Sequence, residues 1–174
     1  KVFDGRWPSV YYDSGADTFH MVYRQNNDAY VLRYATSTDG INWADAGVLW
    51  SGVNNPFLWK NPNDGLWYLF GHPPSPPRIQ YRAAATIAGL ASASTITVIS
   101  QIDGIASPSI MFRDDKYWLA CETWPGGVWN TVAFSADSIE GPYAPCSNSP
   151  ILTNDDACAM QHLLGDMLYL YYAE

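Results

Sequence analysis

Carboxylates and aromatic rings sit together at several loop-facing positions, a pairing able to do chemistry on a polyhydroxylated ligand. Glu122 is followed by Thr123-Trp124-Pro125-Gly126-Gly127, so an acid that can take hydroxyl hydrogens stands beside an indole face that can stack on C–H groups. Asp155-Asp156 is a second acidic candidate: in an extended chain the two alternate sides, and one of them, taken as Asp156, turns inward. An acid facing a second acid is the arrangement for general acid and base work. Arg6, Trp7, Asn54, Asn55 and Ser107 stand where short strands begin, and His72 precedes Pro73-Pro74-Ser75-Pro76-Pro77. Each has a plainer reading. Asp156 and Glu122 would be exposed carboxylates at a loop and a strand end, His72 a solvated loop imidazole, and Arg6 an anchor for the incoming chain.

Those residues can meet only if the strands carrying them converge. The chain shows a unit that recurs: a short apolar strand opening on Pro, a turn, then an aromatic-rich strand. It reads Trp7-Pro8-Ser9-Val10-Tyr11-Tyr12 with Thr18-Phe19-His20-Met21-Val22-Tyr23, then Asn55-Pro56-Phe57-Leu58-Trp59 with Leu66-Trp67-Tyr68-Leu69-Phe70, then Ser107-Pro108-Ser109-Ile110-Met111-Phe112 with Lys116-Tyr117-Trp118-Leu119-Ala120. A fourth copy runs from Ala157-Cys158-Ala159-Met160 to Met167-Leu168-Tyr169-Leu170-Tyr171-Tyr172. The markers Pro8, Pro56, Pro108 and Cys158 lie 48, 52 and 50 residues apart. A strand-built period near fifty predicts an all-β fold, a β-propeller of four-stranded antiparallel blades. An antiparallel sandwich is the alternative, and the proline repeated at one position decides against it.

Third and fourth strands follow in each unit: residues 30–35 and 47–50, 79–83 and 95–99, and 130–134 with a weaker edge near Ser149-Pro150-Ile151-Leu152. The expected blades are about 1–52, 53–101 and 102–152, with a half blade at 153–174. About 3.5 blades do not close a ring of four or more. The expectation is a fragment of a larger ring, the missing blades coming from the rest of the polypeptide or from another chain.

The turns between strands extend the likeness. Ser37-Thr38-Asp39-Gly40-Ile41-Asn42-Trp43 fits S-x-D-G-x-x-W, in which Asp and Gly make the reversal and Trp packs back. A related Ser135-Ala136-Asp137-Ser138-Ile139-Glu140-Gly141-Pro142-Tyr143 follows in the third unit, with Ser107-Pro108-Ser109-Ile110 and Asp114-Asp115-Lys116-Tyr117-Trp118-Leu119. In these segments the chain resembles the five-bladed propeller glycoside hydrolases, the superfamily of family 43 arabinanases and xylosidases and family 32 and 68 fructosyl enzymes. The resemblance implies a carbohydrate-active protein, a hydrolase in its intact form, with three carboxylates lining a central funnel: an Asp base or nucleophile, an Asp that tunes pKa, and a Glu acid. The family's base Asp commonly precedes the blade proline, where this chain has Trp7, Asn55 and Ser107. Its tuning Asp commonly follows such a proline, where this chain has Ser9, Phe57 and Ser109. No catalytic residue therefore carries over. Glu140-Gly141-Pro142 looks like an acid motif of some members but follows a third strand, where it reads as an exposed turn.

Two functions compete on these residues. One is a secreted, extracellular carbohydrate-active propeller, with Glu122 and Asp156 as candidate acids and Arg6, Trp7, Asn55, His72 and Trp124 as candidate sugar contacts. The other is a noncatalytic glycan-binding or structural propeller, such as an adhesin, appendage or virion component. The absent Asp-Pro favours binding without hydrolysis, and a neutral sugar is the expected ligand. Trp129 joins Trp124 as a platform, whereas Trp59, Trp67 and Trp118 alternate within strands and are assigned to packing between blades. His20 and His162 lie inside strand patterns and are expected to pack or cap.

Charge and composition narrow the partners further. Nine Lys and Arg against seventeen Asp and Glu leave a net charge of −8, which repels phosphate and argues against nucleic acid. No run approaches the ~20 apolar residues of a membrane helix, and the opening Lys1-Val2-Phe3-Asp4 has neither an initiator Met nor a signal-peptide core, which reads as a processed or incomplete chain. The three cysteines, Cys121, Cys146 and Cys158, lack metal-type spacing and read as free thiols. No nucleotide, flavin or zinc-protease motif occurs, so no cofactor is expected, with room left for a structural calcium ion in the funnel.

Overall fold

Local turn chemistry explains why the strands begin and end where they do. In the computed structural model, Ser37 Oγ accepts from the Asp39 and Gly40 amides at 3.2 and 2.9 Å, and Asp39 Oδ1 accepts from the Ile41 and Asn42 amides at 2.8 and 2.7 Å. Gly40 supplies the positive φ (70°) and its carbonyl accepts from the Trp43 indole at 3.2 Å. These bonds hold the Asp39 carboxyl well below the usual carboxylate range, because an anion that accepts several N–H bonds resists protonation. The Asp114-Asp115 turn uses positive φ at both central residues, 52° and 57°, matching the right-handed twist of the hairpin it closes.

The structure describes residues 4–26, 30–100, 102–153, 157–164 and 167–173, the last two runs for their backbone course alone. The first sheet runs β1 (Gly5–Asp13), β2 (Thr18–Gln25), β3 (Val31–Ser37) and β4 (Ala44–Ser51). The second has β5 (Asn54–Lys60), β6 (Trp67–His72), β7 (Arg78–Ala84) and β8 (Ile96–Ser100). The third has β9 (Ala106–Arg113), β10 (Lys116–Thr123), β11 (Asn130–Ala136) and β12 (Ala144–Pro145). A two-stranded sheet of β13 (Ala157–Leu164) and β14 (Met167–Ala173) follows. All pairings are antiparallel between sequence neighbours. The first strands lie side by side, β1 against β5, β5 against β9 and β9 against β13, as the inner strands of propeller blades do. The described helical segments are two short 3-10 turns, Ala88–Ala91 and Pro125–Gly127.

One expected edge needs revision. The fourth strand of the third blade is split: β12 pairs Ala144 and Pro145 with Ser135 and Phe134, while Leu152 makes a separate bridge to Thr131. The expected edge at 149–152 is therefore only its second half. Pro145 and Pro150 have no N–H to give a ladder, and the chain between them turns through the Ser149 amide bonding the Cys146 carbonyl at 3.0 Å.

The period-2 alternation of β6 builds two cores from one strand. Tyr68 and Phe70 join Ile79, Tyr81, Ile110, Tyr117, Leu119 and Phe134 in a cluster between the second and third blades. Trp67 and Leu69 face the other way, joining Val22, Leu32, Trp50 and Leu58 between the first and second. Each fully buried side chain of this kind contributes roughly 1.5–3 kcal/mol by leaving water. Trp67 meets Tyr11 edge-on at 5.0 Å and Trp59 meets Tyr117 at 6.4 Å, so both bridge blades. Trp118 donates instead to the Arg113 carbonyl of its own hairpin at 3.0 Å. His20 packs as expected, its Nδ1 2.7 Å from the Tyr34 hydroxyl and its ring edge-on to Trp67. Cys121 and Cys146 are free thiols, and burial, with the neighbouring Glu122 carboxylate, pushes the Cys121 thiol well up. Cys158 and His162 fall where only the backbone is described.

Candidate functional site

The residue before each blade proline is where the backbone departs from strand geometry. Trp7, Asn55 and Ser107 have φ of 49°, 45° and 47°, a left-handed conformation that is uncommon for any side-chain-bearing residue and further restricted by a following proline. The strand register shifts at the same place in all three blades, between Arg6 and Ser9, between Asn54 and Phe57, and across from Ala120 and Glu122. Each is a bulge, which re-aims side chains at a sheet margin. Beyond the bulge the register places Arg24 opposite Arg6, His72 opposite Asn54 and Glu122 opposite Ala106. Arg24, His72 and Glu122 are thus equivalent positions on three successive blades.

Hydrogen bonds tie Glu122 and Arg24 to the bulged strand entries beside them, and with His72 between them the three positions form one belt. The Asn55 side-chain amide donates to Ser107 Oγ, and the Ser107 hydroxyl donates to the Glu122 carboxylate. On the other flank, Arg24 Nη1 donates to Asn54 Oδ1 at 3.2 Å, and the guanidinium carbon lies 4.5 Å from the Trp7 ring centroid and 5.6 Å from that of Tyr30. Arg24 Nε, Asn55 Oδ1 and His72 Nδ1 are buried and have no hydrogen-bond partner in the protein. Most buried polar groups are paired, so three open ones in a single belt mark a place for a hydrogen-bonding ligand.

Two plainer expectations are overturned here. Glu122 is 5% exposed and accepts from the Ser107 hydroxyl, so it is no solvated strand-end acid. His72 is the last residue of β6, half-buried, and burial lowers its imidazole to about 4. Trp7 is 38% exposed and Trp124 48%. Trp124 stacks on Trp129 with centroids 5.6 Å apart and planes 13° from parallel. Gly104 makes that placement possible: at its φ of 64°, a Cβ would stand 2.7 Å from Trp124 Cβ. Arg6 is exposed on β1, and the guanidinium built into the belt is that of Arg24. Asp155 and Asp156 lie outside the described residues. Glu140 is exposed in the turn after β11, where the Gly141 amide bonds the Ser138 carbonyl at 2.9 Å.

Sequence reasoning missed Arg24 because it ends an ordinary strand pattern. The signal was there as spacing: Arg24, His72 and Glu122 recur 48 and 50 residues apart, the proline period again. Ser9 has a structural duty, its buried Oγ accepting the Leu58 amide at 2.9 Å and joining the inner strands of adjacent blades. Among the described residues no group of three or more His, Cys, Asp or Glu side chains comes together as a metal site, and no helix is long and apolar enough to cross a membrane.

No protein-family model matches the chain, and no curated protein does. Solved structures do. A xylan β-1,4-xylosidase from Bacillus halodurans is 19% identical over 99% of this chain and 38% of its own, with a TM-score of 0.79. An exo-1,5-α-L-arabinanase from a bovine ruminal metagenomic library is 15% identical over 95% of this chain and 67% of its own, at 0.69. A family 117 glycoside hydrolase from the marine bacterium Zobellia galactanivorans is 16% identical over 87% and 57%, at 0.65. The chain thus spans little more than a third of the xylosidase. At these identities the likeness is one of architecture: the chain has the blade fold of the propeller glycoside hydrolases.

Proposed function

We propose that this chain forms the glycan-recognising part of a carbohydrate-active propeller, with the belt at the inner-strand entries as its sugar site. The observation that carries this reading is the hydrogen-bonded series from Asn55 through Ser107 to Glu122, flanked by the open Asn55 Oδ1 and His72 Nδ1. A sugar ring presents hydroxyls that donate and accept side by side, which suits an amide, an imidazole and a carboxylate held in a row. Trp7 and Trp124 supply exposed aromatic faces for its C–H surfaces. The fold shared with xylosidases and an arabinanase supports the same ligand class. Secretion, and completion of a five-bladed ring by further blades, belong to this proposal.

Recognition without hydrolysis is the form the residues favour. Hydrolysis requires a second carboxyl about 5–10 Å from the first across the scissile bond. The three pre-proline positions carry Trp7, Asn55 and Ser107, leaving Glu122 with Asp156 as the proposed pair in an active ring. Titration with xylo- and arabino-oligosaccharides and an assay of their cleavage, repeated with Glu122→Gln and Asp156→Asn, separate the two forms. Millimolar binding, weakened about ten-fold by Glu122→Gln as one charge-assisted hydrogen bond is lost, without turnover, is the expected result. Turnover abolished by either substitution would overturn it and identify the acids.

A further inference from the structure

Among the described arginines that make polar contacts, Arg24 is held unlike the rest. Arg33 pairs with Asp45, Arg113 lies 3.5 Å from Asp114, and Arg82 is spent on the Leu49, Leu90 and Ala91 carbonyls and the Thr95 hydroxyl. Arg24 has one amide acceptor, Asn54, and its buried Nε has none in the protein. Its guanidinium is nevertheless oriented, with Trp7 4.5 Å away and Tyr30 5.6 Å. Directly across the β1–β2 ladder stands Arg6, a second cation, and like charges facing each other across strands repel. The nearby Asp4 takes the Asn26 amide. Two facing cations, one a pre-oriented planar fork with an open donor, make a receptor for a bidentate oxyanion.

We infer that the sugar read at this mouth is acidic, and that Arg24, with Arg6 beside it, receives a carboxylate carried by the glycan, as in a uronic acid residue. This rests on the carbohydrate reading above and sharpens it, replacing the neutral ligand expected from the sequence. Trp7 has two duties in such a site: one part of its ring holds the guanidinium, and its exposed part meets the sugar. Glu122 lies on the third blade, away from the anion, and serves the hydroxyls. The pairing also accounts for an unneutralised guanidinium in a chain of net charge −8.

The test titrates the intact protein with a glucuronate-bearing xylo-oligosaccharide, its methyl ester, its sulfated analogue and the neutral oligosaccharide of equal length. The acid is expected to bind about ten-fold tighter than its ester, as a charge-assisted bidentate contact requires, with an advantage that shrinks as salt rises. Arg24→Gln is expected to erase the preference of acid over ester, and Arg24→Lys to keep part of it through charge without the fork. Equal binding of acid and ester overturns the inference and leaves the carbohydrate reading standing, whereas no binding of any of the four sugars overturns both. A sulfated analogue preferred over the uronate overturns the carboxylate assignment. Should Arg24→Gln fail to fold, the acid and ester comparison on the unaltered protein decides.

Discussion

Two asparagines at opposite ends of β5, Asn55 at its entry and Asn61 just past its last residue, are treated by the fold in opposite ways. Asn61, just past its outer end, is 1% exposed and fully engaged. Its amide donates to Asp64 Oδ2 at 2.9 Å and to the Tyr117 hydroxyl at 3.4 Å, while its Oδ1 accepts the Asn63 amide at 3.1 Å. Asp64 also accepts the Tyr68 hydroxyl at 2.8 Å and Asn63 reaches Tyr117 at 3.0 Å, so the turn of one blade grips the next. Asn55, at the entry, gives its amide to Ser107 and leaves its oxygen without a protein partner. The first end is a closed polar network that stabilises the fold. The second is held open in a strained backbone, and such strain gathers where a ligand is to be met.

Removing each asparagine tests that contrast most directly. Asn61→Ala abolishes three bonds and takes one partner each from Asp64 and Tyr117, so thermal or denaturant unfolding should show a loss of about 3 kcal/mol. Asn55→Ala should cost under about 1 kcal/mol, because one bond is lost while an unsatisfied oxygen is also removed. It should weaken sugar binding, which Asn61→Ala leaves alone. Equal destabilisation by the two would break the comparison.

Acid sharpens the contrast next. The His72 imidazole falls from its ordinary 6.5 to about 4 through burial, so the folded state holds it neutral while the unfolded chain protonates it first. Stability from this group is complete above about pH 6.5, declines as pH falls, and is lost by about pH 4. His20 is lowered in the same direction by burial, countered by Asp13. Unfolding midpoints measured across this window should therefore flatten in part with His72→Gln and further with the His20→Gln double change. No flattening would mean that the mouth is already open to water.

Smaller effects are expected where blades join along the inner strands. Ser9→Ala removes the buried acceptor of the Leu58 amide and should cost about 1–2 kcal/mol with sugar binding retained. Gly104→Ala should alter the mouth more than the core. Its Cβ would crowd Trp124, so the Trp fluorescence and affinity are expected to shift while the melting temperature moves by a few degrees, as about 1 kcal/mol of backbone strain implies.

The sequence by itself determined the blades. Pro8, Pro56 and Pro108 recur because each inner strand needs the same bulged entry, and Ser37-Thr38-Asp39-Gly40 closes its turn with bonds reaching three residues at most. The alternation that assigns Trp67 to packing between blades is equally local. Such features are local, set by φ, by short-range hydrogen bonds and by a period of two, and so they can be read in order along the chain. How the candidate positions combine was decided by tertiary structure. Arg24, Asn54, Asn55, His72, Ser107 and Glu122 come from three blades, and only the side-by-side inner strands bring Asn55 to Ser107 across 52 residues. Glu122 in sequence is an acid before a loop, and His72 a histidine before prolines; burial in the folded chain made one a covered carboxylate and the other a neutral imidazole. Desolvation and hydrogen-bond satisfaction belong to the environment, and part of that environment, as the Asn55–Ser107 bond shows, comes from one blade period away.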